Sequence, residues 1–213
     1  MAPANPTVTL MVSSLWTSSA TLKNSASRIS PAQFDLVHKA AVAACDAEDG
    51  VTDGIVSAPL RCGFDPAVLQ CKGADAGSTT CLTEPQVTAM RAIYQGPHNP
   101  RTGQAIFPGF EPGSEAMLPI QVSGELPFVA GLSYFRDLVF EDSKWDFRAF
   151  DYDKDVTRAI QAHSAATDIP SDGLETYLAS GRKLLLFARL GGSARPSADQ
   201  RQFLQGTHRS TRG

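Results

Sequence analysis

The chain has 213 residues, 42% of them hydrophobic, and a formal net charge of −3. That apolar content over that length suffices for a proper core, and the lack of any basic run argues against nucleic acid as a partner. No stretch approaches the roughly 18 consecutive apolar residues that a membrane-spanning helix needs.

The opening MAPANPTVTLMVSSLW lacks the charged start and unbroken apolar run of a signal peptide. It reads instead like the interior of a protein. Ser30-Pro31-Ala32-Gln33 is a capping box with proline at the first helical position. It predicts a helix ending at Cys45, with Phe34, Val37, Ala41 and Ala44 on one face.

Next comes CDAEDGVTDGIVSAPLRC, residues 45–62, with carboxylates at Asp46, Glu48, Asp49 and Asp53. Crowded like charges repel, so either a cation sits among them or each points separately into water. Gly50 and Gly54 each follow an aspartate, and Asp-Gly turns can aim main-chain carbonyls beside the carboxylates. A hard cation such as Ca2+ takes oxygens of this mixed kind. The loop is not an EF-hand, because the twelfth position counted from Asp46 is Ser57 rather than glutamate. A solvated acidic turn is the plainer alternative.

Cys45, Cys62, Cys71 and Cys81 are spaced 17, 9 and 10 apart. None forms the closely spaced pair that zinc prefers, whereas an even, local set fits two disulfides. Three connectivities are open. Separate closure of the acidic loop and of the Gly-rich loop favours Cys45–Cys62 and Cys71–Cys81, which suits an oxidising compartment.

A second capping box, Thr83 with Gln86, predicts a helix carrying Val87, Met90 and Ile93 and closed by Gly96. Residues 97–127 are rich in proline and glycine and read as turns and irregular loop. YFRDLVFE, 134–141, fits a short helix or a strand. SDGLETYLASG, 171–181, predicts a short helix with a glycine stop, and RKLLLF after it is an apolar run of buried-strand type.

Cys45-Asp46-x-x-Asp49-Gly50-Val51-x-Asp53-Gly54-Ile55, with Cys62-x-Phe64-Asp65-Pro66 and Leu69-Gln70-Cys71-Lys72-Gly73, resembles the lid domain of the tannase/feruloyl esterase family. The likeness continues through Cys81-Leu82-Thr83, Thr102-Gly103, Pro108-Gly109-x-Glu111-Pro112-Gly113-Ser114-Glu115 and Trp145-Asp146-Phe147-Arg148. It covers roughly residues 1–187. It implies an α/β fold, mixed α+β in this part: a piece of an α/β-hydrolase core with a large helix- and loop-rich lid. Residues 1–30 would be core and approach to the lid, 31–170 the lid, and 171–187 a return helix and core strand. The implied activity is cleavage of small aromatic-acid esters, feruloyl or galloyl, by a secreted or periplasmic enzyme with a Ser-His-Asp mechanism. The resemblance also implies structural calcium held by the side chains of Asp46, Asp49 and Asp53 and the carbonyls of Val51 and Ile55. The competing expectation is a free-standing calcium-stabilised binding module.

The catalytic motifs of that family are not found here. Its nucleophile lies in a Gly-Cys-Ser-x-Gly-Gly elbow followed by Gly-Ala-Pro-Ala, and Ala2-Pro3-Ala4-Asn5 matches the later segment, placing the elbow before Met1. No Gly-x-Ser-x-Gly occurs in the chain. Leu190-Gly191-Gly192-Ser193 mimics one but lacks the second glycine. After the strand the family has His-Gly-Trp-x-Asp-Pro, where this chain reads Ala188-Arg189-Leu190-Gly191-Gly192-Ser193. GC-rich codons for His-Gly-Trp-Ala-Asp-Pro, read one base out of register, encode that very hexapeptide. Residues 188–213 are therefore expected to be out of frame. No catalytic residue is assigned: Ser13, Ser14, His38, His98, His163 and His208 are expected to be structural or surface groups, and the chain alone to be inactive.

Overall fold

VTLMVSSLWTSSATL is a poor helix former on paper, crowded with serine, threonine and valine, yet it forms α1 (Val8–Leu22) at the centre of the fold. This computed structural model describes residues 7–72, 79–122, 124–168, 177 and 179–183. Two features stabilise α1. Thr7 caps it, accepting from the Leu10 amide at 3.2 Å. Three of its hydroxyls bond to backbone carbonyls: Thr17 donates to Ser13 O at 3.0 Å, Thr21 to Ser18 O at 3.2 Å and Ser18 to Gln121 O at 3.0 Å. Small side chains also let neighbours approach. A Cβ on Gly131 would stand 3.1 Å from Leu15 N.

α2 (Pro31–Cys45) begins at the capping box, with Gln33 N donating to Ser30 Oγ at 3.3 Å and Ser30 N to Gln33 Oε1 at 3.0 Å. Phe34, Val37 and Ala41 are buried as expected, but the stripe ends on Cys45 rather than Ala44, which is exposed. α3 (Glu84–Gln95) buries Val87, Met90 and Ile93 and is closed by Gly96 with φ 75°. Its Gln86 Oε1 accepts from Thr83 N at 2.8 Å. The two capping glutamines also meet: Gln33 Nε2 donates to Gln86 Oε1 at 3.0 Å, and Gln86 Nε2 to Arg28 O at 2.6 Å.

The irregular stretch after α3 is held by close backbone approach. A Cβ on Gly109 would lie 1.9 Å from Tyr94 O, so only glycine lets this loop run against the end of α3. Two short helices follow, α4 (Leu118–Val122) and α5 (Val129–Ser133), and then Tyr134–Val139 as a π-helix. Phe140 N donates to Phe135 O at 2.9 Å, the i to i+5 bond of that geometry. α6 (Lys154–Thr167) completes the described elements.

Two apolar clusters result. One joins Val8, Val12 and Leu15 of α1 with Leu132, Phe135, Phe150 and Val156; the other joins Phe34 and Val37 of α2 with Met90, Ile93, Phe110 and Leu118. α1 packs against α3, α4, α5 and α6, and Trp16 Nε1 donates to Ala92 O at 2.8 Å.

The mixed α and β character expected of this part is not seen. Among the described residues there are helices, turns and two isolated bridges, Gln70 with Leu82 and His98 with Ala105, and no strand. Segment 134–141 resolves to helix because Tyr134 and Phe135 are both buried, whereas a strand would turn successive side chains to opposite faces. Most of the helix expected over 171–181, and the 183–187 strand beyond Lys183, lie outside the described residues.

Candidate functional site: the acidic loop and its surroundings

Both expected disulfides are present, Cys45–Cys62 with Cα atoms 5.3 Å apart and Cys71–Cys81 at 5.0 Å. The first closes the acidic loop directly off the end of α2. Asp46–Asp49 forms a single 3-10 turn, and the chain reverses at Gly50 (φ 94°) and Gly54 (φ 81°). These left-handed conformations are why an Asp-Gly pair recurs there.

Asp46 organises the loop. It is only 8% exposed, and its Oδ1 accepts from the amides of Asp53 at 3.3 Å, Gly54 at 3.1 Å and Ile55 at 3.1 Å. Three amides on one carboxylate wrap the backbone of 53–55 around it. Asp49 and Asp53 are exposed and make Asx turns, Asp49 Oδ1 accepting from Val51 N at 2.8 Å and Asp53 Oδ1 from Ile55 N at 3.1 Å. Arg61 donates to Glu48 O across the loop. Val51 and Ile55 place their side chains in solvent. The five named residues thus lie along the folded segment 46–55, anchored on Asp46. Among the described residues, no three His, Cys, Asp or Glu side chains converge closely enough to hold a metal ion.

A second polar centre carries little signal in the sequence. Glu115 is fully buried, and its carboxylate accepts from Tyr94 Oη at 2.5 Å and from Gly113 N at 3.0 Å, with His38 Nδ1 3.2 Å away. Burial pushes the Tyr94 hydroxyl pKa well above its ordinary value, and the Glu115 carboxylate adds to that. Gly113 packs on Val56, just past the acidic loop, where a Cβ would stand 2.9 Å from Val56 Cγ2. The signal available in sequence was a glutamate in a loop otherwise rich in glycine, proline and aromatics.

His98 meets the edge of Trp16 with ring centroids 5.1 Å apart, and His163 meets Tyr134 at 5.7 Å. Ser13 is buried on α1, and the Ser14 hydroxyl is buried without a hydrogen-bond partner among the described residues. Ser193 and His208 lie outside the described residues. Among the described residues no helix is long and apolar enough to cross a membrane.

Curated relatives include an uncharacterised esterase of Xanthomonas campestris pv. campestris, 36% identical over 203 residues, covering 87% of this chain and 35% of the relative. Another, named "Probable feruloyl esterase B-2", from Aspergillus flavus, is 34% identical over 154 residues, covering 72% of this chain and 28% of its own length. The chain therefore spans about a third of these relatives. Among solved structures, an esterase from Aspergillus oryzae superposes with TM-score 0.85 at 24% identity, over 96% of this chain and 40% of that one. Feruloyl esterase B from the same organism gives 0.84 at 21% identity, covering 96% and 41%. The described helices and loops thus share the fold of part of these enzymes. The sequence matches the description "Tannase and feruloyl esterase" over residues 1–190, nearly the whole chain, and the chain belongs to that family.

Proposed function

We propose that this chain is the lid-bearing part of a carboxylic ester hydrolase acting on esters of hydroxycinnamic or gallic acids. The observation that carries this reading is the family match over residues 1–190. The feruloyl esterase name of a relative supports the substrate class. A free-standing binding module finds no support once the match extends so far beyond the acidic loop.

Ester cleavage needs a serine activated by a base and a pair of donors for the oxyanion. The sequence holds no Gly-x-Ser-x-Gly elbow, and Ser13 and Ser14 lie on the packed central helix. The chain's own contribution is accordingly structural: it shapes the cover of a site whose reacting groups belong to other parts of a longer protein. The frame-shifted reading of residues 188–213 fits a family match that stops at residue 190.

The acidic loop is proposed to bind Ca2+ through the carboxylates of Asp46, Asp49 and Asp53 and the carbonyls of Val51 and Ile55. The support is donor type, all oxygen on a disulfide-closed loop, and binding would have to draw the exposed carboxylates of Asp49 and Asp53 in beside Asp46. Bound calcium would supply stabilisation rather than a reaction step. Two disulfides within this region support an exported enzyme.

The test is hydrolysis of methyl ferulate and methyl gallate by the purified chain. No turnover above background is expected. Turnover that disappears on replacing Ser13, Ser14 or Ser193 by alanine would overturn the reading.

A further inference from the structure

The first and last described helices meet at one atom. Asp168 Oδ1 accepts from the backbone amide of Val8 at 3.0 Å, across 160 residues of chain. Val8 is the first residue of α1, and its amide is one of the donors that a helix cannot satisfy internally. The Thr7 side chain serves Leu10 and leaves Val8 unserved. Asp168 meanwhile is the cap that ends α6, its own amide donating to Ser164 O at 2.8 Å. Thr167 Oγ1 stands 3.0 Å from the same Oδ1 and steadies it.

The charge explains the direction of this contact. A carboxylate at the end of α6 is unfavourable for α6, whose C-terminus carries partial negative charge, and favourable at the start of α1. The acid therefore serves the neighbouring helix, not its own. α1 and α6 pack side by side beneath it, with Val8, Val12, Val156 and Ala159 in one cluster.

We propose that Asp168 is a clasp that pins the end of α6 to the first turn of α1, so that the N-terminus of the central helix is held by an acid 160 residues away in the chain. The inference rests on this contact and on helix electrostatics. It does not depend on the ester-hydrolase reading, and it survives if that reading fails.

The experiment is amide hydrogen exchange on the full chain and on Asp168→Ala and Asp168→Asn. A charge-assisted hydrogen bond holds the Val8 amide, and its loss should speed exchange there by about tenfold or more. The amides of Met90 and Ile93 in α3 should keep their rates. Asp168→Asn retains an acceptor oxygen without the charge and should fall between parent and alanine variant. An unchanged Val8 rate in Asp168→Ala would overturn the clasp. So would acceleration shared equally by Val8, Met90 and Ile93, because that pattern reports global loosening.

Discussion

Asp46 illustrates how one side chain can prepare a loop before any ligand arrives. Its carboxylate gathers three successive amides, and replacing it by alanine takes that acceptor from the Asp53 and Gly54 amides, while Ile55 N keeps Asp53 Oδ1. A hydrogen bond to a charged group contributes about 1.5–3 kcal/mol, so Asp46→Ala should lower the melting temperature even with a chelator present. Calcium adds a separable effect. Binding at a hundredfold excess over Kd stabilises by about 2.7 kcal/mol, and that increment should appear in the parent and shrink in Asp49→Ala and Asp53→Ala. Thermal unfolding under non-reducing conditions, with calcium and with chelator, reads both. An unchanged midpoint in the parent on adding calcium would end the proposal for that ion.

Asp153 gives a pH signature at the same scale. The Arg101 guanidinium, with Nε 2.7 Å from Oδ2, and then the Asn99 amide at 2.6 Å from Oδ1, lower its pKa from 3.8 to about 2. A depressed folded-state pKa means the stabilising contribution is present above about pH 4 and lost as the pH falls through about 2. NMR titration of the Asp153 carboxyl should give a midpoint near 2 in the parent. In Arg101→Ala the midpoint should move up toward 3.8, and an unmoved midpoint would refute the assignment.

At the scale of elements, sequence legibility followed local chemistry. α2 and α3 could be read because each announces itself with a capping box and proline and then repeats apolar residues at helical spacing. The acidic loop could be read because Asp-Gly pairs and flanking cysteines fix its turns. α1 could not be read, because its serines and threonines favour caps and turns in isolation, and the packing of four other helices around it, with Ser18 bonded to Gln121 O, is not visible in its own sequence. The π-helix was half legible: the sequence offered helix or strand, and only the joint burial of Tyr134 and Phe135 decides. Nor did either capping box reveal that its glutamine would pair with the other. That pair carries a prediction. In Gln86→Ala, the Thr83 amide and the Arg28 carbonyl lose their partner, as does the Gln33 amide, though Gln33 keeps Cys81 O at 3.0 Å. The expected loss is about 1–3 kcal/mol in a denaturant titration. A cost below about 0.5 kcal/mol would show the pair to be incidental.

For the whole molecule, the decisive feature is that two apolar clusters share one helix. Met90 and Ile93 lie in one cluster and Phe135 and Val156 in the other, and α1 packs against elements of both. If each cluster had its own helices, damage to one would leave the other standing. Here Leu15, fully buried, belongs formally to the α5–α6 side, but its helix also carries Trp16, whose indole bonds to Ala92 O in α3. Leu15→Ala should therefore cost about 2–5 kcal/mol by transfer and cavity formation, and the cost should be felt on both sides. Native-state hydrogen exchange distinguishes the cases, since amides that open only with the whole protein report the global free energy. The slowest amides of α3, near Ile93, and of α6, near Val156, should lose protection by the same factor. Loss confined to Val156 would show that the clusters open independently, and α1 would then be a strut of one of them only.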